Sequence, residues 1–158
     1  MIQFYGNDSN LSFWRASCAF APYPELSLFA VTTVRELHLN DCFPTDPSSL
    51  LSQLPALETL VLVNATGSYS FAFLAAEPVL CPSLKNIAFL DCKLDQQVIG
   101  SIEEAVVKRK KSTAAWLYRI IIIVKEAGDF LNRDLVLRLR RSVPRVDIRI
   151  DDKLPDLS

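Results

Sequence analysis

Four cysteines and one histidine are the residues of this chain whose types are best suited to chemistry. The cysteines (Cys18, Cys42, Cys81 and Cys92) lie far apart and form no CxxC pair, so their spacing indicates neither a zinc site nor a redox motif. His38 is the only histidine and lies within a predicted strand, which leaves a thiol nucleophile without a base. We therefore expect Cys42 and Cys92 to be structural and His38 to be a surface or hydrogen-bonded side chain.

Acidic pairs and sequence motifs offer no catalytic arrangement either. Glu103 and Glu104, like Asp151 and Asp152, are sequence neighbours whose side chains point in different directions instead of converging as a dyad. The sequence contains no G-x-S-x-G, P-loop or GxGxxG motif. We expect no enzymatic activity, no metal and no cofactor.

The composition narrows the class of protein. The chain has 158 residues, of which 50% are hydrophobic and 22% charged, with a net charge of −1, as in a soluble globular domain that does not bind nucleic acid. Its longest aliphatic run, Ile120 to Val124, is far shorter than the roughly 20 apolar residues that span a membrane. No signal peptide is apparent, so we expect a cytoplasmic or nuclear location. The run "KRKK", Lys108 to Lys111, is typical either of a helix end or of a nuclear-import patch.

One short sequence pattern, called the repeated line below, recurs along the chain. Its copies are "VRELHLNDC" from Val34, "LETLVLVNA" from Leu57, "LKNIAFLDC" from Leu84, "LYRIIIIVK" from Leu117 and the weaker "VPRVDIRI" from Val143. Their central apolar residues, Leu37, Leu60, Ile87, Ile120 and Ile148, are 23, 27, 33 and 28 residues apart. Leucine-rich repeats recur every 20–29 residues or so, and each copy forms a strand stacked in parallel on the next.

Helices are expected between the strands. The sequence predicts them at Pro47 to Pro55, Ser70 to Pro78, from Asp95 as N-cap through "KRKK", and Asp129 to Pro144, with an extra strand at Ile2 to Gly6. Within the last of these helices, "DLVLRLR" also alternates as a strand would. The predicted fold class is α/β: a leucine-rich-repeat solenoid, a short right-handed β-α horseshoe of about five parallel strands with helices on its convex side. One domain would cover residues 1–158, with an irregular N-terminal repeat or cap at 1–33, repeats at 34–150 and an acidic tail at 151–158.

These features resemble the leucine-rich-repeat portion of the large F-box-like protein family of basidiomycete fungi. The resemblance is carried by the "VRELHLNDC" lines, the basic helix end before "LYRIIII", and the closing "LRRSVPRVDIRIDDKLPDL". In that family an N-terminal F-box docks onto the adaptor of a cullin-type ubiquitin ligase, and the repeats hold the substrate. This chain enters a predicted strand almost at once and shows no three-helix F-box, so the resemblance implies only the substrate-recognition part.

A partner is expected on the concave face. The residues predicted to lie there are Glu36, His38, Asn40, Thr59, Val61, Val63, Asn86, Ala88, Leu90, Arg119, Ile121, Ile123, Asp147 and Arg149. The middle strands give this face an apolar stripe, defined as Val61, Val63, Ala88, Leu90, Ile121 and Ile123. Such a stripe usually marks an interaction surface.

Two alternatives affect this surface. The segment from Ser12 to Leu28, with Phe13, Trp14, Phe20 and Tyr23, would cover the stripe from within, and another register through Ile120 to Val124 would exchange the faces of the fourth strand. Trp14 and Trp116 are predicted to be packing residues. The sequence thus predicts a non-enzymatic module that binds a protein partner; the alternative is a structural or self-associating protein, a homodimer through its apolar face or uncapped ends.

Overall fold

The structure, a computed structural model, describes residues 2–5, 13–17, 33–41, 47–65, 70–75, 80–111, 116–124 and 133–150. The strands are β1 (Ile2–Tyr5), β2 (Phe13–Ser17), β3 (Glu36–Asn40), β4 (Thr59–Val63), β5 (Asn86–Leu90), β6 (Arg119–Val124) and β7 (Arg145–Ile150). The helices are α1 (Ser48–Leu51), α2 (Gln96–Lys111) and α3 (Arg133–Ser142), and a 3₁₀ turn covers Ala72–Ala75.

One sheet contains all of these strands in sequential order. Strands β2 to β7 are parallel, and β1 pairs antiparallel with β2 at one edge. The coarse prediction, an α/β fold built on a parallel sheet, is confirmed. The segment around β2 was expected to be irregular, and that expectation is wrong for Phe13–Ser17, which pairs with β3 along its whole length.

The register follows the repeated line. Leu37, Leu60, Ile87 and Ile120 stand next to one another on successive strands, as the sequence predicts. In the fifth copy Ile120 pairs with Val146 and not with Ile148. The two candidates are two positions apart and therefore lie on the same face of β7. The error shifts the predicted register without changing which residues face the core.

The main core lies between the helices and one face of the sheet. It contains Leu37, Leu39, Leu60, Leu62, Ile87, Phe89, Ile120 and Ile122 from the strands, with Leu50, Leu51, Leu74, Val98, Ile99, Ile102, Ala105, Val106 and Leu139 from the helices and the 3₁₀ turn. Phe71 and Phe89 meet edge to face, with ring centroids 5.6 Å apart. The described helices therefore pack against one face of the sheet.

The helices match the predictions to different degrees, and α2 matches best. The backbone N–H of Val98 donates to Oδ1 of Asp95 at 2.9 Å, which confirms Asp95 as the N-cap. The first predicted helix is reduced to the single turn of α1, and the described part of the second contains a 3₁₀ turn. Against α2 packs α3, where Nε of Arg138 donates to Glu103 at 3.1 Å.

Three strands end in the same backbone conformation. Asp41, Asn64 and Asp91, which follow β3, β4 and β5, have φ of 56°, 53° and 53°. The backbone N–H of each donates to a carbonyl near the end of the next strand. The acceptors are Val63, Leu90 and Ile123, at 2.8, 2.9 and 2.7 Å. Asn and Asp adopt this left-handed conformation more readily than other non-glycine residues. Each of these three repeats therefore leaves the sheet at an Asn or Asp.

Candidate interaction surface

The face of the sheet turned away from the helices, called the opposite face below, is built by the alternate residues of β3 to β7. The register brings together on it all the residues predicted to contact a partner: His38 and Asn40 on β3, Thr59, Val61 and Val63 on β4, Asn86, Ala88 and Leu90 on β5, Arg119, Ile121 and Ile123 on β6. Glu36 on β3 and Asp147 and Arg149 on β7 share this face as predicted, and Arg145 belongs with them.

The middle of the opposite face is apolar. Val61, Val63 and Ala88 form a cluster separate from the main core, and Leu90 and Ile121 pack against it. On β6 the residues Ile120, Ile122 and Val124 are buried, while Ile121 and Ile123 are half-buried. The alternative register through this strand is therefore excluded, and the stripe is continuous across β4, β5 and β6.

Three residues of the stripe have almost no solvent-accessible surface. Val61, Val63 and Ala88 are 5%, 4% and 6% exposed. Since only this chain is present, the chain itself buries them. The part of the stripe that retains surface consists of Leu90, Ile121 and Ile123, which are half-buried. A partner would meet these three first.

The segment predicted as an internal cover lies partly within the sheet. Phe13 and Trp14 belong to β2, beside Glu36 and Leu37 of β3, so the backbone at these positions extends the sheet and does not cross it. Phe20 and Tyr23 lie outside the described residues.

The β3 side of the opposite face is polar. His38 Nε2 and Glu36 Oε1 are 2.6 Å apart, which matches the expectation that His38 is hydrogen-bonded. Asn40 is 9% exposed, and its Oδ1 has no hydrogen-bond partner. A buried, unpaired carbonyl oxygen costs about 1–3 kcal/mol of stability. It is the one such side-chain atom in the part of the chain that the structure describes.

The β7 side carries an excess of positive charge. Arg119 Nε donates to Asp147 at 2.6 Å, and Arg145 Nε donates to the same carboxylate at 3.0 Å. The hydrogen bond from Arg119, followed by the one from Arg145, lowers the pKa of Asp147 below its ordinary value. Arg149 is exposed on the same strand. Two guanidinium groups thus contact one carboxylate, and the face carries a third arginine at Arg149.

The described cysteines are structural in their contacts. Cys92 is buried, and its Sγ donates to the carbonyls of Leu62 and Leu90 at 3.3 and 3.4 Å. Burial raises the pKa of Cys92 to about 11 and that of Cys81 to about 12. Both thiols therefore stay protonated near neutral pH and are poor nucleophiles. Cys42, predicted to be structural for the same reason, lies outside the described residues.

Arg109, in the middle of "KRKK", is buried. It is 2% exposed, and its guanidinium donates to the carbonyls of Leu80, Cys81 and Leu84 at 3.1, 3.0 and 3.4 Å. Burial lowers the pKa of Arg109. The helix-end interpretation of "KRKK" is confirmed, since α2 ends at Lys111. Nothing in the sequence indicates that one of these four basic residues is buried.

Trp116 is the clearest misprediction among the singled-out side chains. It is 56% exposed, directly before β6, so it is not a packing residue. Tyr118, two positions on, is 54% exposed. For Trp14 the structure describes the strand position alone.

Among the described residues no three His, Cys, Asp or Glu side chains are grouped so that they could hold a metal ion. Within the same part of the chain, no helix has the length and apolar character needed to cross a membrane. No family model, no curated protein and no solved structure matches the chain.

Proposed function

We propose that the chain is a non-enzymatic protein-binding module and that the opposite face of its sheet is the binding surface. The observation that carries this proposal is the pair of half-buried apolar residues, Leu90 and Ile121, that pack on the second apolar cluster between polar side chains on both sides. An apolar centre with a polar rim is the usual anatomy of a protein interface.

The charges of the face define the partner. Arg119, Arg145 and Arg149 outnumber Asp147 on the β7 side. The partner we propose is an extended protein segment that places apolar side chains over Leu90 and Ile121 and acidic side chains toward β7. Charge complementarity of this kind selects partners and raises association rates more than it raises affinity.

A display library of random peptides tests the proposal. We expect selected peptides to combine apolar with acidic residues, and their binding to weaken at least about tenfold in Leu90→Glu and Ile121→Glu, since charging the centre of an interface removes its principal contacts. Val107→Glu is the matched control, because Val107 is an exposed aliphatic residue on α2. Circular dichroism verifies folding. Binding that survives both face variants, or a library without enriched peptides, would contradict the proposal.

A finer proposal follows from the resemblance to F-box-like proteins: the captured protein is a substrate for a cullin-type ubiquitin ligase, in the cytoplasm or the nucleus. The repeated line and its pairing as parallel strands support it. Purifying the full gene product from its native cells and probing for the ligase adaptor tests it. Recovery of the module without any adaptor would sink the ligase role while leaving peptide binding intact.

A further inference from the structure

The last strand of the sheet has an unpaired edge in the described structure. Strand β7 pairs with β6, and no strand among the described residues lies on its other side. Its core-facing side chains become more accessible along the strand: Val146 and Ile148 are half-buried against the core, and Ile150 is 57% exposed. Such an edge is a template for pairing with another strand.

The direction of the backbone groups determines how that edge can pair. The N–H of Arg145 donates to the carbonyl of Tyr118 at 3.2 Å, so the N–H and C=O of Arg145 point toward β6. Because these groups alternate sides along a strand, those of Val146, Ile148 and Ile150 point toward the unpaired edge. Any added strand must form its hydrogen bonds with these three residues.

The sequence of β7 complements itself when it is read in the opposite direction. We propose that a second copy of this chain occupies the edge, with the two β7 strands antiparallel and Ile148 opposite Ile148 on the two-fold axis. In this register Val146 lies opposite Ile150. The backbone N–H and C=O groups of Val146, Ile148 and Ile150 then form the hydrogen bonds between the two copies. On the other face Asp147 lies opposite Arg149 of the second copy.

Neighbouring registers that keep the same hydrogen bonds are unfavourable. Centring the pair on Asp147 sets two Asp147 carboxylates against each other and Arg145 against Arg149. Centring it on Arg149 sets two Arg149 side chains together. In the proposed register Asp147 of each copy lies opposite Arg149 of the other, so both charged pairs are opposite in sign. Like charges directly opposite destabilise strand pairing, and opposite charges stabilise it.

The inference goes beyond the proposed function, since it concerns an end of the sheet and a second copy of the chain. It also covers Ile150, the most exposed of the large hydrophobic residues among those described. The isologous dimer would join two sheets into one continuous sheet and place the two opposite faces side by side. Two binding surfaces in one particle increase avidity for a partner with two matching segments.

Sedimentation equilibrium of the purified chain tests the dimer. We expect the wild type to approach twice the 17.7 kDa chain mass as concentration rises. Arg149→Asp should weaken self-association about tenfold or more, because it turns two attractive cross-strand pairs into repulsive ones. Lys110→Asp is the control, with the same charge change at an exposed position on α2. A wild type that stays monomeric at every concentration would overturn the proposal, and so would an Arg149→Asp chain that associates like the control.

Mixing two variants tests the register. Asp147→Arg and Arg149→Asp should each be monomeric alone and form a heterodimer when mixed, because every like pair then becomes an opposite pair. Absence of the heterodimer from two folded variants would contradict the proposed register. If Asp147→Arg does not fold, since Arg119 and Arg145 lose their carboxylate, the comparison of Arg149→Asp with Lys110→Asp still decides the proposal. Neither experiment contains a peptide partner, so failure here leaves the proposed binding function untouched.

Discussion

Strands β4 and β7 share the same parallel pairing but differ in burial. In β4, Leu60 and Leu62 are fully buried on the core face, and Val61 and Val63 are nearly so on the opposite face. In β7 every described residue is at best half-buried. Both strands pair residue by residue with a parallel neighbour along their whole length. The alternation of residues along a strand therefore determines how it pairs, whereas the strands and helices around it determine how deeply it is buried.

This difference in burial indicates that the centre of the sheet contributes more to stability than the β7 end does. The centre has strands on both sides, the contact of Phe71 with Phe89, and the long helix α2. At the β7 end, α3 and the segment before the strand contribute Leu139 and Val143 to the core. Substitutions of one chemical type should consequently have unequal effects in the two regions.

The largest expected contrast is between Ile87→Ala and Ile150→Ala. Ile87 is fully buried in β5, and its truncation should lower the free energy of unfolding by about 2–5 kcal/mol. Ile150 lies on the same face but is mostly exposed, so its truncation should change the free energy of unfolding by less than about 0.5 kcal/mol. Urea denaturation of the two variants at low protein concentration measures both. Equal losses would refute the contrast between centre and end.

The second contrast concerns Arg109 and its neighbour Lys110. Arg109→Met should destabilise the fold by about 3 kcal/mol, since the carbonyls of Leu80 and Leu84 lose the hydrogen bond from Arg109 and that of Cys81 keeps only the Leu84 N–H. Lys110→Met, at an exposed position, should have little effect. Denaturation curves of the pair give the comparison. A stable Arg109→Met variant would show that these carbonyls find other donors.

The sequence predicted the centre better than the ends. Leu37, Leu60, Ile87 and Ile120 were aligned correctly because each occupies the same place in a well-preserved line. The fifth copy has apolar residues at both Val146 and Ile148, so the pattern could not distinguish two registers that differ by two positions. Strand β2, "FWRAS", carries no repeat line at all and gave no periodic signal.

The third contrast compares the pH dependence of the free energy of unfolding in the wild type and in Cys92→Ala. The raised pKa of Cys92 means that the unfolded chain loses this proton first, at about pH 9, and the folded chain at about pH 11. The stability linked to this thiol is therefore complete below pH 9 and is lost as the pH rises through 11. The wild type should lose about 2 kcal/mol more than Cys92→Ala across this range. Denaturation at several pH values measures the difference, and parallel curves would contradict it.

The smallest expected effect is at Asn64, the left-handed residue after β4. Asn64→Val should cost about 1 kcal/mol, because a β-branched side chain fits this conformation poorly. Asn64→Gly should be close to neutral, since glycine adopts positive φ without strain. Thermal unfolding of the two variants provides the test. A Val variant as stable as the Gly variant would mean that the turn tolerates another conformation.

The sequence predicted only part of the candidate surface. Alternation placed the apolar stripe on one face, and the structure has it there. That Val61, Val63 and Ala88 would be almost inaccessible depends on contacts between distant parts of the chain, which periodicity does not encode. The burial of Arg109 was missed for the same reason, because a basic run is normally solvated.

The anchoring of Arg109 has a consequence for motion. The last turn of a helix ordinarily opens first, and its amide hydrogens exchange quickly with solvent. Here the end of α2 is tied through Arg109 to the carbonyls of Leu80, Cys81 and Leu84. That turn and the segment leading into β5 should open together as one cooperative unit, with amide exchange in the last turn as slow as in the middle of the helix.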